Sequence, residues 1–239
     1  MKKILISGGE GNLAKEIIRA NKSSKIVCVA PSKKQLNILN TSQLDSSLSL
    51  LKPDIFIHTA ALTRPMIKHI THPEISIETN IIGTSNVVLA CIKHNIKIIY
   101  ISTDFVYPGT EGNYSEKSSI YPVNKYAWSK LGGECAVKLY DNSLILRVAM
   151  AQVPYPHPKA LVDMRKSLLP NDDVAKIIFK LLEQKGTINI GGKPDTVYNH
   201  VKKINPNIGK ISLKDINDTN MPKDITMDIT KMKKIINNE

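Results

Sequence analysis

A chain of 239 residues, 42% of them hydrophobic, can bury one substantial core and a small second lobe, which excludes a disordered or low-complexity protein. The net charge of +12 raises nucleic acid as a partner, but only four of the 33 basic residues are arginines (Arg19, Arg64, Arg147 and Arg165) and aromatics make up just 5%. Nucleic-acid surfaces draw on arginine forks and stacking rings, so the composition points away from nucleic acid, while its positive field still attracts diphosphate-bearing ligands. No apolar run reads as a membrane span, and the start, "MKKILISGG", reads as a first strand rather than a signal peptide, so no membrane partner and a cytoplasmic location are expected. Cys28, Cys91 and Cys135 are odd in number and unclustered, which predicts reduced core thiols and no metal site.

In chain order, residues 3–7 form a predicted strand, followed by a glycine-rich turn and a helical pattern through Ala20. In that turn Gly8 suits a tight bend, Gly11 a close backbone approach to a pyrophosphate, and Ala14 close packing of helix on strand; Asn12 and Leu13 open the helix whose N-terminus would face the phosphates. A second strand at 25–30 is followed by Pro31-Ser32-Lys33-Lys34, where an NAD site would carry an acidic residue for the ribose 2'-hydroxyl. A hydroxyl and two ammonium groups suit a 2'-phosphate, so NADPH is the expected cofactor, with NADH as the alternative. A third strand, "DIFIHTA", runs into Ala60-Ala61, whose small side chains let a cofactor lie against backbone. His58 lies inside that strand and reads as a core histidine rather than an acid or base.

The fourth strand, "KIIYIST", delivers Ser102, Thr103 and Asp104 to the carboxyl edge of a parallel sheet, where such sheets bind ligands. The helix beginning near Asn124 carries Tyr126 and Lys130, four residues apart and so on one face. An adjacent ammonium favours phenolate, which predicts a Tyr126 pKa lowered toward the range of a working general acid. Gly132-Gly133 inside this helix cost about 1 kcal/mol each against alanine, which predicts a close helix contact, either in a homodimer packed through the Tyr126 helix or within the subunit. Strands alternating with helices predict an α/β fold, a Rossmann-type doubly wound parallel sheet.

The loop "STDFVYPG" and the helix "PVNKYAWSKLGGE" resemble, several residues deep at both places, the extended short-chain dehydrogenase/reductases and among them the dTDP-4-dehydrorhamnose reductase family. The resemblance covers nearly the whole chain, strongly to about residue 148 and in patches beyond, where no Trp follows Arg147 and the substrate lobe reads as shortened. It implies residues 1–150 as an NADP-binding domain carrying the Tyr-x-x-x-Lys site and 151–239 as a small substrate-binding lobe partly interleaved with it. It further implies that NADPH reduces the 4-keto group of a dTDP- or UDP-linked 4-keto-6-deoxy sugar. Tyr126 would protonate the oxygen, Thr103 would hydrogen-bond it, and Lys130 would hold the nicotinamide ribose. Asn37 stands where the family has an aspartate at the adenine, and Asn80 is implied as a support of the active site. Ser102 and Asp104 are expected to flank the sugar. By position and charge Tyr155, His157, Lys159, Arg165 and Lys166 are candidates for the diphosphate, with Arg165 preferred for its planar fork. Two alternatives stand beside this reading: an epimerase/reductase, 4,6-dehydratase or 4-epimerase on a UDP-(N-acetyl) sugar, and a non-catalytic regulatory subunit of the kind the methionine adenosyltransferase beta subunit represents.

Overall fold

Alternating apolar runs and amphipathic helices give a layered α/β structure, and the computed structural model of the protein describes residues 1–216 and 221–237. The strands of the central sheet are β1 (Lys2–Ser7), β2 (Ile26–Val29), β3 (Ile55–His58), β4 (Lys97–Thr103) and β5 (Ser143–Val148). Between them run α1 (Asn12–Ala20), α2 (Thr41–Leu51), α3 (Lys68–Thr71), α4 (Pro73–Ser76), α5 (Gly83–Lys93) and α6 (Lys125–Lys138). The chain then forms the short strands β6 (Met150–Ala151), β7 (Lys159–Leu161), β8 (Arg165–Lys166) and β9 (Leu169–Pro170), then α7 (Asn171–Lys180) and β10 (Gly186–Ile190). It ends with β11 (Asp195–Thr196), α8 (Val197–Lys202), β12 (Gly209–Ile211) and α9 (Thr230–Asn237).

β10 joins the first five strands in a six-stranded, all-parallel sheet of order β10-β5-β4-β3-β1-β2. This is the doubly wound arrangement read from the sequence. β3 and β4 are buried at every residue, as strands covered on both faces must be. The order reverses between β1 and β3, and the crevice at their carboxyl ends is where such sheets take ligands. There the chain comes close to itself. Gly8 has φ +70°, and a Cβ on it would stand 2.9 Å from the Ala60 Cα, so both the left-handed turn and the approach of the β3 loop require glycine. The stretch 36–39 does not pair as a strand; Leu36 and Ile38 instead sink into the core beside α2 and α5.

The C-terminal third divides its residues between the two parts. α7, β10 and α9 complete the α/β layers, with Val174, Ala175, Ile178, Ile188 and Met232 in the main core. β7, β8, β11, β12 and α8 surround a separate small core of Ala160, Met164, Leu168, Val197, Val201, Ile208 and Ile225. β8 is held on both sides, antiparallel to β11 and hydrogen-bonded to Lys223 and Ile225.

The structure decides three points that bear on the reading of the sequence. The continuous helical run Pro73–Lys93 has 21 residues and contains an 18-residue window of mean hydropathy 1.4, long and apolar enough to cross a membrane by length and composition. Here it covers the sheet, burying Asn80, Gly83, Thr84, Val87, Val88 and Cys91. Cys135 is exposed rather than a core thiol. The contact that Gly132 and Gly133 make is within the subunit: a Cβ on Gly133 would stand 2.6 Å from the Asn80 carbonyl oxygen and 2.7 Å from the Tyr100 hydroxyl, and one on Gly132 would meet the Ile81 side chain. The pair therefore demands no second copy. A Gly133→Ala variant is expected to lose about 1–3 kcal/mol of stability through overpacking, read as a lowered urea midpoint; an unchanged midpoint would mean that α6 can slide on its neighbour.

Candidate active site

Asn124 starts α6 by accepting a hydrogen bond from the Ala127 amide through its side chain at 2.9 Å, a capping geometry that fixes where the helix begins. Tyr126 and Lys130 then fall one turn apart beside the end of β4, and Thr103 closes that strand. The Thr103 side chain is near enough to the Tyr126 phenol to act on it. Thr103 donates to Asp104 Oδ1 at 3.2 Å and accepts from the Phe105 amide at 3.3 Å. Thr103, Tyr126 and Lys130 are thus brought together at the carboxyl edge of the sheet.

Burial, rather than a neighbouring ammonium, sets the Tyr126 pKa. Desolvation pushes the phenol up to about 12, opposed by the nearby Thr103 side chain, reinforced by the charge of Asp104 and opposed by that of Arg64. This reverses the expected direction. The reason lies in Lys130, whose ammonium sits over the Tyr100 ring, 4.2 Å from its centroid. Burial brings the Lys130 pKa down to about 7, opposed by the charge of Glu134. The phenol is therefore held as a proton donor, and the lysine is poised between its charged and neutral forms at neutral pH.

A second set of hydrogen bonds fixes the helix. In the π-helical turn Ile77–Ile82, Asn80 accepts from the Leu62 amide at 2.8 Å and donates to the Leu62 carbonyl at 2.9 Å and to Ser129 Oγ at 2.8 Å. Ser129 donates to the Tyr126 carbonyl at 2.7 Å, so one asparagine ties the loop after β3 to the tyrosine's own turn. The ring of His69, in the same loop, packs edge-on against Tyr126 at 5.2 Å, and Phe105 does so from the other strand end at 6.2 Å. Neither aromatic contact was read from the sequence, because only folding brings residues 57 and 21 positions away onto one ring.

The nucleotide turn meets the test of its own geometry. Gly11 caps α1 with no side-chain hydrogen bond, so the amides of the first turn have no side chain competing for them and suit a phosphate. Asn12 is exposed at the helix start, while Leu13 is buried and serves the core. Ser32 points its hydroxyl to Gln35 Oε1 at 3.0 Å, and the Lys33 amide is held by Glu10 at 3.2 Å, which leaves the Lys33 ammonium in solvent. The Asn37 side chain accepts locally from the Leu39 amide at 3.1 Å. Ala60 and Ala61 lie where the β3 loop passes Gly8, with the Ala60 amide on Ser7 Oγ at 3.3 Å.

The expected sugar and diphosphate contacts are redistributed. Ser102 is buried and donates to Glu134 at 2.7 Å, within a cluster where Glu134 also pairs with Arg147, so its hydroxyl is not directed at a ligand. Asp104 is 1% exposed and paired at 3.0 Å with Lys166, whose ammonium also lies 4.2 Å from the Phe105 ring centroid. Lys166 therefore joins the small lobe to the loop after β4 and is occupied by Asp104. Arg165, its neighbour on β8, is exposed and paired with Asp224 at 3.3 Å; side chains alternate along a strand, so a β8 that turns Lys166 inward turns Arg165 away. His157 is exposed, its ring edge-on to Tyr155 at 5.4 Å.

Residues 1–184 match the family described as RmlD substrate binding domain, so the chain belongs to that family. It superposes on a dTDP-4-dehydrorhamnose reductase of Bacillus anthracis, solved in complex with NADP, with a TM-score of 0.88 at 25% identity over 98% of this chain and 92% of that one. A dTDP-4-dehydrorhamnose reductase of Aggregatibacter actinomycetemcomitans is 29% identical over 156 residues, 62% of this chain and 51% of the relative. The methionine adenosyltransferase 2 subunit beta of Xenopus laevis is 26% identical over 211 residues, 77% of this chain and 63% of the relative. The chain thus spans about half to two thirds of the length of the curated relatives it matches.

Two measurements check this electrostatic picture. Between pH 7 and 10.5 an unfolded Lys130 holds a proton that the folded one has released, so the free energy of unfolding should gain up to about 1.4 kcal/mol per pH unit from this group, a slope that Lys130→Met removes. Lys166→Met should cost about 3–5 kcal/mol by stranding the buried Asp104 charge, and adding Asp104→Asn should return much of it. Urea denaturation at fixed pH reads both.

Proposed function

We propose that the protein is an NADPH-dependent reductase that acts on the 4-keto group of a nucleotide-activated 4-keto-6-deoxy sugar, dTDP- or UDP-linked, with NADH as a weaker alternative donor. The observation that carries this reading is the placing of Thr103, Tyr126 and Lys130 together at the carboxyl edge of the sheet, with Lys130 one helical turn from the tyrosine. Membership of the RmlD family and the likeness to a reductase solved with NADP support it.

In this reading the amides at the start of α1 hold the pyrophosphate of the cofactor and the lysines after β2 face its 2'-phosphate. When bound, the reduced nicotinamide supplies hydride to the carbonyl carbon. Thr103 turns its hydroxyl from Asp104 to the carbonyl oxygen and orients it. Tyr126, kept protonated by its burial, gives its proton to that oxygen as negative charge develops there. Lys130, in its charged form, stabilises the phenolate that remains and holds the nicotinamide ribose. Asp104 is paired with Lys166 beside the reacting group, and its remaining negative charge helps Tyr126 keep its proton until transfer.

A second reading follows from the likeness to a methionine adenosyltransferase subunit: a partner protein without its own turnover. The two part on one experiment. The full chain is incubated with NADPH and a panel of dTDP-, UDP- and GDP-linked 4-keto-6-deoxy sugars, with absorbance and product NMR as readouts. Turnover on one of them, lowered at least about a hundredfold in Tyr126→Phe with NADPH binding unchanged, supports the reductase. No turnover across the panel, or equal turnover in the variant, sinks it. The proposal includes a homodimer packed through α6, which exposes Trp128 at 50% and is followed directly by Leu139 at 87%.

A further inference from the structure

With Arg165 paired to Asp224 on the outside of β8 and Lys166 held by Asp104, the diphosphate of the proposed substrate lacks the partner first expected for it. The four arginines narrow the choice. Arg19 is paired with Glu16 and Arg147 with Glu134, the latter deep in the core. Arg64 alone, among the described residues, makes neither an ion pair nor a side-chain hydrogen bond, although 21 acidic residues are available in the chain.

Its place in the fold is not that of an idle surface group. Arg64 lies in the loop between β3 and α3, whose two ends are both fastened to the catalytic helix. Leu62 is bound on its amide and its carbonyl by Asn80, which also holds Ser129. His69 packs its ring against Tyr126 at 5.2 Å and fixes itself by a 2.8 Å hydrogen bond to Ser76. Two residues from one anchor and five from the other, Arg64 carries an exposed side chain. Burial raises the phenols of both Tyr126 and Tyr155, and in both the charge that opposes it is that of Arg64. The two anchors set the Arg64 loop beside the turn that carries Tyr126, and its charge also acts on Tyr155, which packs on the small core. The phosphate cradle of the cofactor lies at Gly11 and the start of α1, on the other side of Ala60.

We propose that Arg64 is the residue that binds the diphosphate of the nucleotide-activated substrate, its planar fork taking two phosphate oxygens across the mouth between the β3 loop and the small lobe. This rests on the nucleotide-sugar reading of the site. An anchored loop with a free arginine needs little rearrangement to receive an anion, and no bound carboxylate has to be displaced first.

The test is calorimetric titration of dTDP, UDP and GDP into the full chain saturated with NADP⁺, for the wild type, Arg64→Gln and Arg64→Lys. For the nucleotide that the wild type binds, Arg64→Gln should raise the dissociation constant at least about tenfold, and Arg64→Lys should recover part of the loss by restoring the charge without the fork. The dissociation constant of NADPH and the melting temperature should stay unchanged in both variants, because the side chain is exposed and has no partner. Unaltered nucleotide binding in Arg64→Gln, or an equal loss for NADPH, overturns the assignment and leaves the reductase reading standing. A wild type that binds none of the three diphosphates overturns both.

Discussion

The closeness of α6 to the π-helical turn of the neighbouring run is the constraint from which the geometry of the site follows. At Gly133 the helix backbone comes so near the Asn80 carbonyl and the Tyr100 hydroxyl that any side chain would collide. That approach lets Asn80 reach Leu62 on one side and Ser129 on the other, and it lets Tyr100 donate to the Lys130 carbonyl at 2.9 Å. The wide π-helical turn directs Asn80 into this gap, where a regular turn would carry the amide to another angle. The cost of two glycines inside a helix is thereby offset by two hydrogen bonds to the helix, from Asn80 to Ser129 and from Tyr100 to the Lys130 carbonyl, and by the two that hold Leu62 to the same asparagine.

From this follows the chemical state of the site. A helix packed so tightly on a strand leaves little water around its inner face, so Lys130 is buried without a carboxylate directly on it and loses much of its hold on a proton. Its ammonium is accommodated by the face of Tyr100, a weaker partner than a carboxylate but one that does not need to be displaced as a charge. Tyr126, also desolvated, keeps its proton. A donor beside a lysine of adjustable charge is a different starting arrangement from a preformed phenolate, and it is the one suited to giving a proton away.

The small lobe meets the loop after β4 through a buried ion pair. Asp104 and Lys166 lie 62 positions apart and come together because β8 is pinned between β11 and the 223–225 segment. Buried pairs of this type contribute little net stability compared with an apolar filling, but each partner strongly penalises loss of the other. The pair therefore acts as a registration device between the lobe and the strand end. It also withdraws Asp104 from direct service to a ligand, which leaves the loop after β3 as the nearer source of charge.

Much of this was legible in the residues. Local periodicity gave the strands, the glycine-rich turn before α1 and the Tyr126–Lys130 face, because each depends on neighbours within one or two turns. The capping Asn124 could be read in the same way. The directions of side chains on two-residue strands could not: nothing local says which of Arg165 and Lys166 faces inward, and the answer came from Asp104 in a distant loop. The Tyr126 pKa was misread for a related reason, since proximity along a helix is written in the spacing while desolvation is a property of everything packed around it. Glycines in α6 announced a close contact but not its partner, and the fold supplied Asn80, Tyr100 and Ile81 from within the same chain. Short-range geometry is encoded residue by residue; burial, pairing across the sheet edge and the choice among equal cations arise only when segments far apart in the chain are packed together.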